Sequence, residues 1–120
     1  MKRIFRFEKL IIWQIAIEIT DELLDIADML EKRKLYRFAE QLRGAGMSMT
    51  NNIAEGSGSD LKSEFIQFLR YHRRSCYECA NILILLARRQ LITEETKTRL
   101  HARLDELSRK TTNFMKTLRV

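Results

Sequence analysis

The chain has 120 residues and no proline, with 22 Lys+Arg against 16 Asp+Glu and a formal net charge of +6. Its 45% apolar and 32% charged content is too apolar for a disordered tail and too charged for a membrane protein. The length fits one domain; two domains of half this size would each be marginal.

The N-terminus, Met1 to Lys9, is interrupted by charge too often for the apolar core of a signal peptide. The first predicted helix covers about residues 7–31. Leu10, Ile11, Ile15, Ile19, Leu23, Ile26 and Leu30 recur at three- and four-residue steps and so share a face. The same helix carries Glu18, Asp21, Glu22, Asp25, Asp28 and Glu31 with no base among them. Lys32, Arg33 and Lys34 follow, which suits the negative end of a helix dipole and a short turn.

The second helix is expected over about residues 35–56. Its seam is Leu35, Phe38, Leu42, Ala45, Met49 and Asn52. Gly44 and Gly46 within it predict a close approach by another backbone, because glycine in a helix otherwise costs up to about 1 kcal/mol. Gly56 is expected as a left-handed C-terminal cap.

Asp60 is the expected N-cap of a third helix over about residues 61–89. Its seam runs through Leu61, Phe65, Phe68, His72, Cys76, Cys79, Leu83 and Leu86. Its longest apolar stretch, Ala80–Ala87, contains Asn81 and is far shorter than the roughly 20 residues that cross a bilayer. Cys76 and Cys79 read as two small buried thiols and, with the other negative signs, point to a reducing cytoplasm. Thr93 is the next N-cap, with Glu94 and Glu95 in the positive first turn of a fourth helix over about residues 93–118. Leu100, Leu104, Leu107, Thr111, Phe114 and Leu118 line it.

Four long helices with short connections predict an all-α, antiparallel up-down-up-down four-helix bundle with left-handed packing. Ile12, Trp13, Ala16 and Ile17 lie off the main stripe of the first helix, and Ile82–Leu86 is apolar nearly all round. Helices apolar on two faces need two partners, which predicts a homo-oligomer.

The stretch Gln41-Leu42-Arg43-Gly44-Ala45-Gly46-Met47-Ser48-Met49-Thr50-Asn51-Asn52-Ile53-Ala54-Glu55-Gly56-Ser57-Gly58 resembles the signature of the four helix bundle proteins encoded in intervening sequences of bacterial 23S rRNA genes. Phe7, Leu10, Trp13 and Ala16 are similar to that family's opening, and Glu64-Phe65-Ile66-Gln67-Phe68-Leu69 with Ser75 and Glu78 to a later segment. Gly44, Ser59 and Arg74 depart from its pattern, the first two where arginine is usual. The resemblance implies an up-down four-helix subunit assembled into a ring-like pentamer, and a motif comprising Arg43, Asn52, Glu55 and Gly56. Its architecture is also similar to basic pentameric accessory proteins of diversity-generating retroelements, which bind nucleic acid and a reverse transcriptase.

Three readings of Asn52 and Glu55 compete. Asn52 fixes helix register by a buried hydrogen bond; Glu55 pairs with Arg43 or Arg70; or both belong to a functional site. His72 and His101 are isolated, and His72 reads as a seam or subunit-contact residue; no metal, cofactor or small-molecule substrate is expected. No nucleophile elbow or phosphate-cradling loop is present, so nothing in the sequence supports an enzyme.

The basic residues are the main functional signal. Arg70, Arg73 and Arg74 share one helical face. Arg99, Arg103 and Lys110 continue along the fourth helix, where the acidic face of the first could absorb part of their field. Tyr71 and Tyr77 lie close enough to the arginine cluster to stack on unpaired bases. The expectation is an oligomer binding RNA or DNA through phosphates, with a protein-interaction adaptor as the alternative.

Overall fold

The computed structural model describes residues 2–119. After a short 3-10 turn, Arg6–Lys9, come α1 (Ile11–Lys32), α2 (Tyr36–Ser57), α3 (Lys62–Arg88) and α4 (Glu94–Leu118), and there is no strand among the described residues.

The first expected helix starts four residues late because Glu8 folds the N-terminus into its own turn. Its carboxylate accepts the backbone N–H of Phe5 at 2.8 Å and of Ile4 at 3.0 Å. These bonds, the Phe5 one first, lower the Glu8 pKa. Phe7 then packs edge-on against Trp13 at 5.2 Å, and Gln14 donates its side-chain amide to the Glu8 carbonyl. The second apolar face of α1 is therefore largely covered within the chain. Ile12 and Ala16 are buried, and Trp13 and Ile17 are half-buried.

Two helix ends differ from expectation in an instructive way. Lys34 (φ 64°) and Gln90 (φ 61°) occupy the left-handed region, and no glycine does. At each, the two carbonyls left over by the helix are taken up by reversed bonds. Leu35 N–H donates to Leu30 and Lys34 N–H to Glu31; Leu91 N–H donates to Leu86 and Gln90 N–H to Ala87. This is the Schellman arrangement with a long side chain where glycine is favoured. Gly56 is no such cap: α2 runs past it to Ser57. Asp60 does not cap α3 either, since Ser59 Oγ accepts the Leu61 N–H. Thr93 does cap α4, accepting the Thr96 N–H at 3.0 Å.

Each helix packs only on its neighbours in chain order, and α4 closes back onto α1. Cross-helix pairs run in opposing directions: Thr20 with Gly46 and Asp28 with Arg43; Met49 with His72 and Gly56 with Phe65; His72 with Thr111 and Ala80 with His101; Glu18 with Arg103 and Glu22 with Arg99. Neighbouring helices are therefore antiparallel, in a bundle of 46 × 26 × 24 Å.

The core is aliphatic, with Leu23, Leu30, Leu42, Met49, Ile53, Leu69, Leu83, Leu86 and Leu107 without measurable exposure. Burial of each contributes roughly 1.5–3 kcal/mol. Gly56 lies where α2 crosses α3, against Phe65 and Phe68. A Cβ at Gly44, by contrast, would meet nothing within 4 Å, and one at Gly46 would first meet Thr20 and Leu23 at an ordinary contact distance of 3.5 Å. The close approach predicted at Gly44 and Gly46 is not found there; the tight contact is at Gly56, with the Phe65 and Phe68 side chains.

Candidate functional site

On the outward face of α3, cations converge on a site that no carboxylate lines. Arg70, Arg73, Arg74 and Tyr77, spaced three and four residues apart, line a shallow notch of about 210 Å³. Arg73 is half-buried and anchored on α4, its guanidinium donating to Thr112 Oγ1 at 3.0 Å. Arg70 donates to Gln67 Oε1, and Arg74 lies over the Tyr71 ring at 5.8 Å. None of the three is in an ion pair among the described residues.

The other expected basic residues do not join them. Arg99 donates to both carboxylate oxygens of Glu22, at 2.8 and 2.9 Å. Arg103 lies 3.4 Å from Glu18 and 3.9 Å from Glu106. The acidic face of α1 thus neutralises this part of α4. Lys110 sits elsewhere, beside Lys9 over a groove of about 370 Å³ between α1 and α4.

The motif residues of α2 also separate. Arg43 bridges Asp28 at 2.8 Å and Glu31 at 2.6 Å; these bonds, Asp28 first, raise its pKa. It therefore pairs with α1 and not with Glu55. Glu55 is exposed and in no ion pair among the described residues. Asn52 donates to the Ser48 carbonyl of its own helix, so it makes no cross-helix hydrogen bond. Gly56 has the packing role described above.

The polar link across the core is His72, as its seam position predicts. Its Nδ1 donates to the Met49 carbonyl at 2.9 Å, because a carbonyl only accepts. Its Nε2 lies 3.1 Å from Thr111 Oγ1 and 3.7 Å from Cys76 Sγ. With Nδ1 protonated, Nε2 is the acceptor of the Thr111 hydroxyl, whose single proton is shared with the Leu107 carbonyl 2.8 Å from Thr111 Oγ1. Burial first, and the Arg73 charge after it, lower the His72 pKa to about 4 against the opposing Met49 bond. Sequence reasoning missed Thr111 as its partner and Thr20, which donates to Gly46 O at 3.1 Å. The available signal was a threonine in an otherwise apolar seam.

Cys76 and Cys79 are buried, as expected. Burial pushes Cys76 up to about 12 and raises Cys79 as well. No group of three or more His, Cys, Asp or Glu among the described residues is placed to hold a metal.

Beside the arginine notch, Tyr77 also borders a second groove of about 380 Å³ between α3 and α4. Cys76, Ala80 and Leu104 form its apolar part, and Asn81, Asp105 and Ser108 its polar part.

The sequence profile of the 23S rRNA-intervening sequence proteins matches residues 8–113. No curated protein matches the chain. Among solved structures, the chain is similar to a protein of unknown function from the S23 ribosomal protein family of Bacteroides thetaiotaomicron. The TM-score is 0.82 at 20% identity, over 88% of this chain and 99% of that one. At that identity the likeness shows the fold. No helix among the described residues is long and apolar enough to cross a membrane.

Proposed function

We propose, from the premise that this chain belongs to the 23S rRNA-intervening sequence protein family, that it is a non-catalytic, oligomeric protein that binds RNA or DNA through the arginine notch on α3. The observation that carries this reading is the convergence of Arg70, Arg73 and Arg74 without a carboxylate partner. Three guanidinium groups held this way suit phosphate oxygens, which they contact bidentately. Arg73 is already oriented by Thr112, so less side-chain freedom is lost when it binds. Such contacts position a backbone without reading sequence, and their affinity falls steeply with salt.

Self-association supports this by repeating the notch around the assembly, with five copies the stoichiometry the resemblance implies. The surface available for it includes Tyr36 and Met47 of α2 and Leu85 of α3, which are 56%, 50% and 45% exposed. Sedimentation velocity at micromolar concentration tests this part, and a monomer would remove it.

The binding test is an anisotropy titration against structured RNA at two salt concentrations. Arg70→Gln and Arg74→Gln should each weaken binding and lower the salt slope by about 1. Arg99→Gln, whose guanidinium is occupied by Glu22, should change neither. Absence of binding at low salt, or equal losses from all three variants, contradicts the proposal. The adaptor reading is favoured by the exposed Ile84 and Leu85 crest of α3. A partner that co-purifies after nuclease treatment would select it.

A further inference from the structure

Resting on the phosphate-binding reading above, we infer that the α3–α4 groove beside the notch is a nucleobase pocket, so that the ligand is an unpaired nucleotide of a single strand rather than a duplex. Tyr77 is the wall the two cavities share. The residue is 71% exposed, and neither a ring nor a cation stacks on it among the described residues. Tyr71 is different: Phe68 meets it edge-on at 6.0 Å and Arg74 lies over it. Of the two tyrosines beside the arginines, Tyr77 is the one with its π-face available.

The two sides of Tyr77 differ in chemistry as the two parts of a nucleotide do. One side offers the three guanidinium groups of the notch. The other offers an apolar groove of about 380 Å³, at the small end of ligand pockets. Asn81 on its edge makes no side-chain hydrogen bond among the described residues, so its amide can both donate to and accept from a base edge. The His101 ring is fixed as part of the wall, its Nε2 donating to Ala80 O at 2.9 Å. Asp105 on the same edge is paired with Arg109 at 3.0 Å. A base stacked on Tyr77 and seated in this groove places its phosphate one helical turn back along α3, toward Arg73 and Arg74. Paired bases in a duplex keep both faces stacked and cannot enter; a splayed base can.

The test is anisotropy with a labelled oligonucleotide of about 10 residues, single-stranded or annealed to its complement. Wild type should bind the single strand about tenfold more tightly than the duplex. Tyr77→Ala should lose about tenfold on the single strand and leave the duplex unchanged, whereas Tyr77→Phe should keep the preference. Arg74→Gln should weaken both. Circular dichroism melts should match wild type for the Tyr77 variants, whose side chain is exposed. Equal affinity of wild type for the two forms, or a Tyr77→Ala variant that binds both as wild type does, refutes the base pocket and leaves the phosphate reading standing. No binding of either form at low salt removes both.

Discussion

Replacing two glycines of one helix by alanine should move stability in opposite directions. A Cβ at Gly56 would lie 2.7 Å from Phe68 Cβ and 2.8 Å from Phe65 Cδ1. The first contact is roughly 0.7 Å short of the ordinary 3.4 Å. Phe68 Cβ is fixed to its backbone, and Phe65 is buried against Phe114 and the Arg6 guanidinium, so neither can swing aside. The helices must separate at this crossing. Overpacking of this kind costs about 1–3 kcal/mol. The gain in helix propensity is at most about 1 kcal/mol and is reduced because Gly56 is next to last in α2. The net expectation for Gly56→Ala is a loss of about 1–2 kcal/mol, or about 4–8 °C in Tm. A Cβ at Gly44 would meet nothing within 4 Å, so Gly44→Ala should gain about 0.5–1 kcal/mol. Gly46→Ala, with contacts at 3.5 Å, should lie between them. Urea unfolding at one protein concentration, with m unchanged, measures all three. A Gly56→Ala protein as stable as wild type, or a Gly44→Ala protein that loses as much, would refute the reasoning.

Three further outcomes follow from buried groups and turns. The His72 pKa is lowered from 6.5 to about 4 in the folded chain, so the folded state favours the neutral ring. The associated stability is present above pH 6.5, declines as pH falls, and is gone below about pH 4, a loss of about 3 kcal/mol. His72→Leu should flatten urea midpoints between pH 7 and 4.5 relative to wild type; parallel curves would contradict this. Iodoacetamide at pH 8 should leave Cys76 and Cys79 unmodified in the folded protein and label both in urea, because burial raises both thiols. Mass spectrometry showing rapid native labelling would contradict their sealing in the core. Gln90→Gly relieves about 1 kcal/mol of left-handed strain, partly offset by a freer unfolded chain, and should raise Tm by a few degrees. A lowered Tm would argue against the Schellman turn.

Helix number, approximate extents and most core residues are legible in the sequence because apolar periodicity is a local property, although Ile11 and Leu61, placed in the seams at the starts of their helices, are exposed. Leu23, Leu42, Leu83 and Leu107 repeat with the turn of their own helix, and each is buried where that pattern puts it. Arg70, Arg73 and Arg74 share a face for the same reason. The resemblance carried by the Gln41–Gly58 stretch identified the family, but it did not say what each of its residues touches. Arg43 reaches α1, Asn52 stays within α2, and Gly56 admits Phe65 and Phe68.

The sequence alone determined that the chain folds into helices with apolar seams and carries surplus positive charge. Tertiary structure decided which of that charge is unpaired. Arg99 meets Glu22 across 77 positions of chain and Arg103 meets Glu18 across 85, so these pairings leave no trace in a local pattern. It likewise decided that Tyr77 divides two cavities, because α4 supplies the far wall of one of them. Periodicity fixes which side of a helix a residue occupies. Only the packing of the other helices fixes what stands opposite it, and an arginine facing a carboxylate is chemically a different group from one facing open solvent.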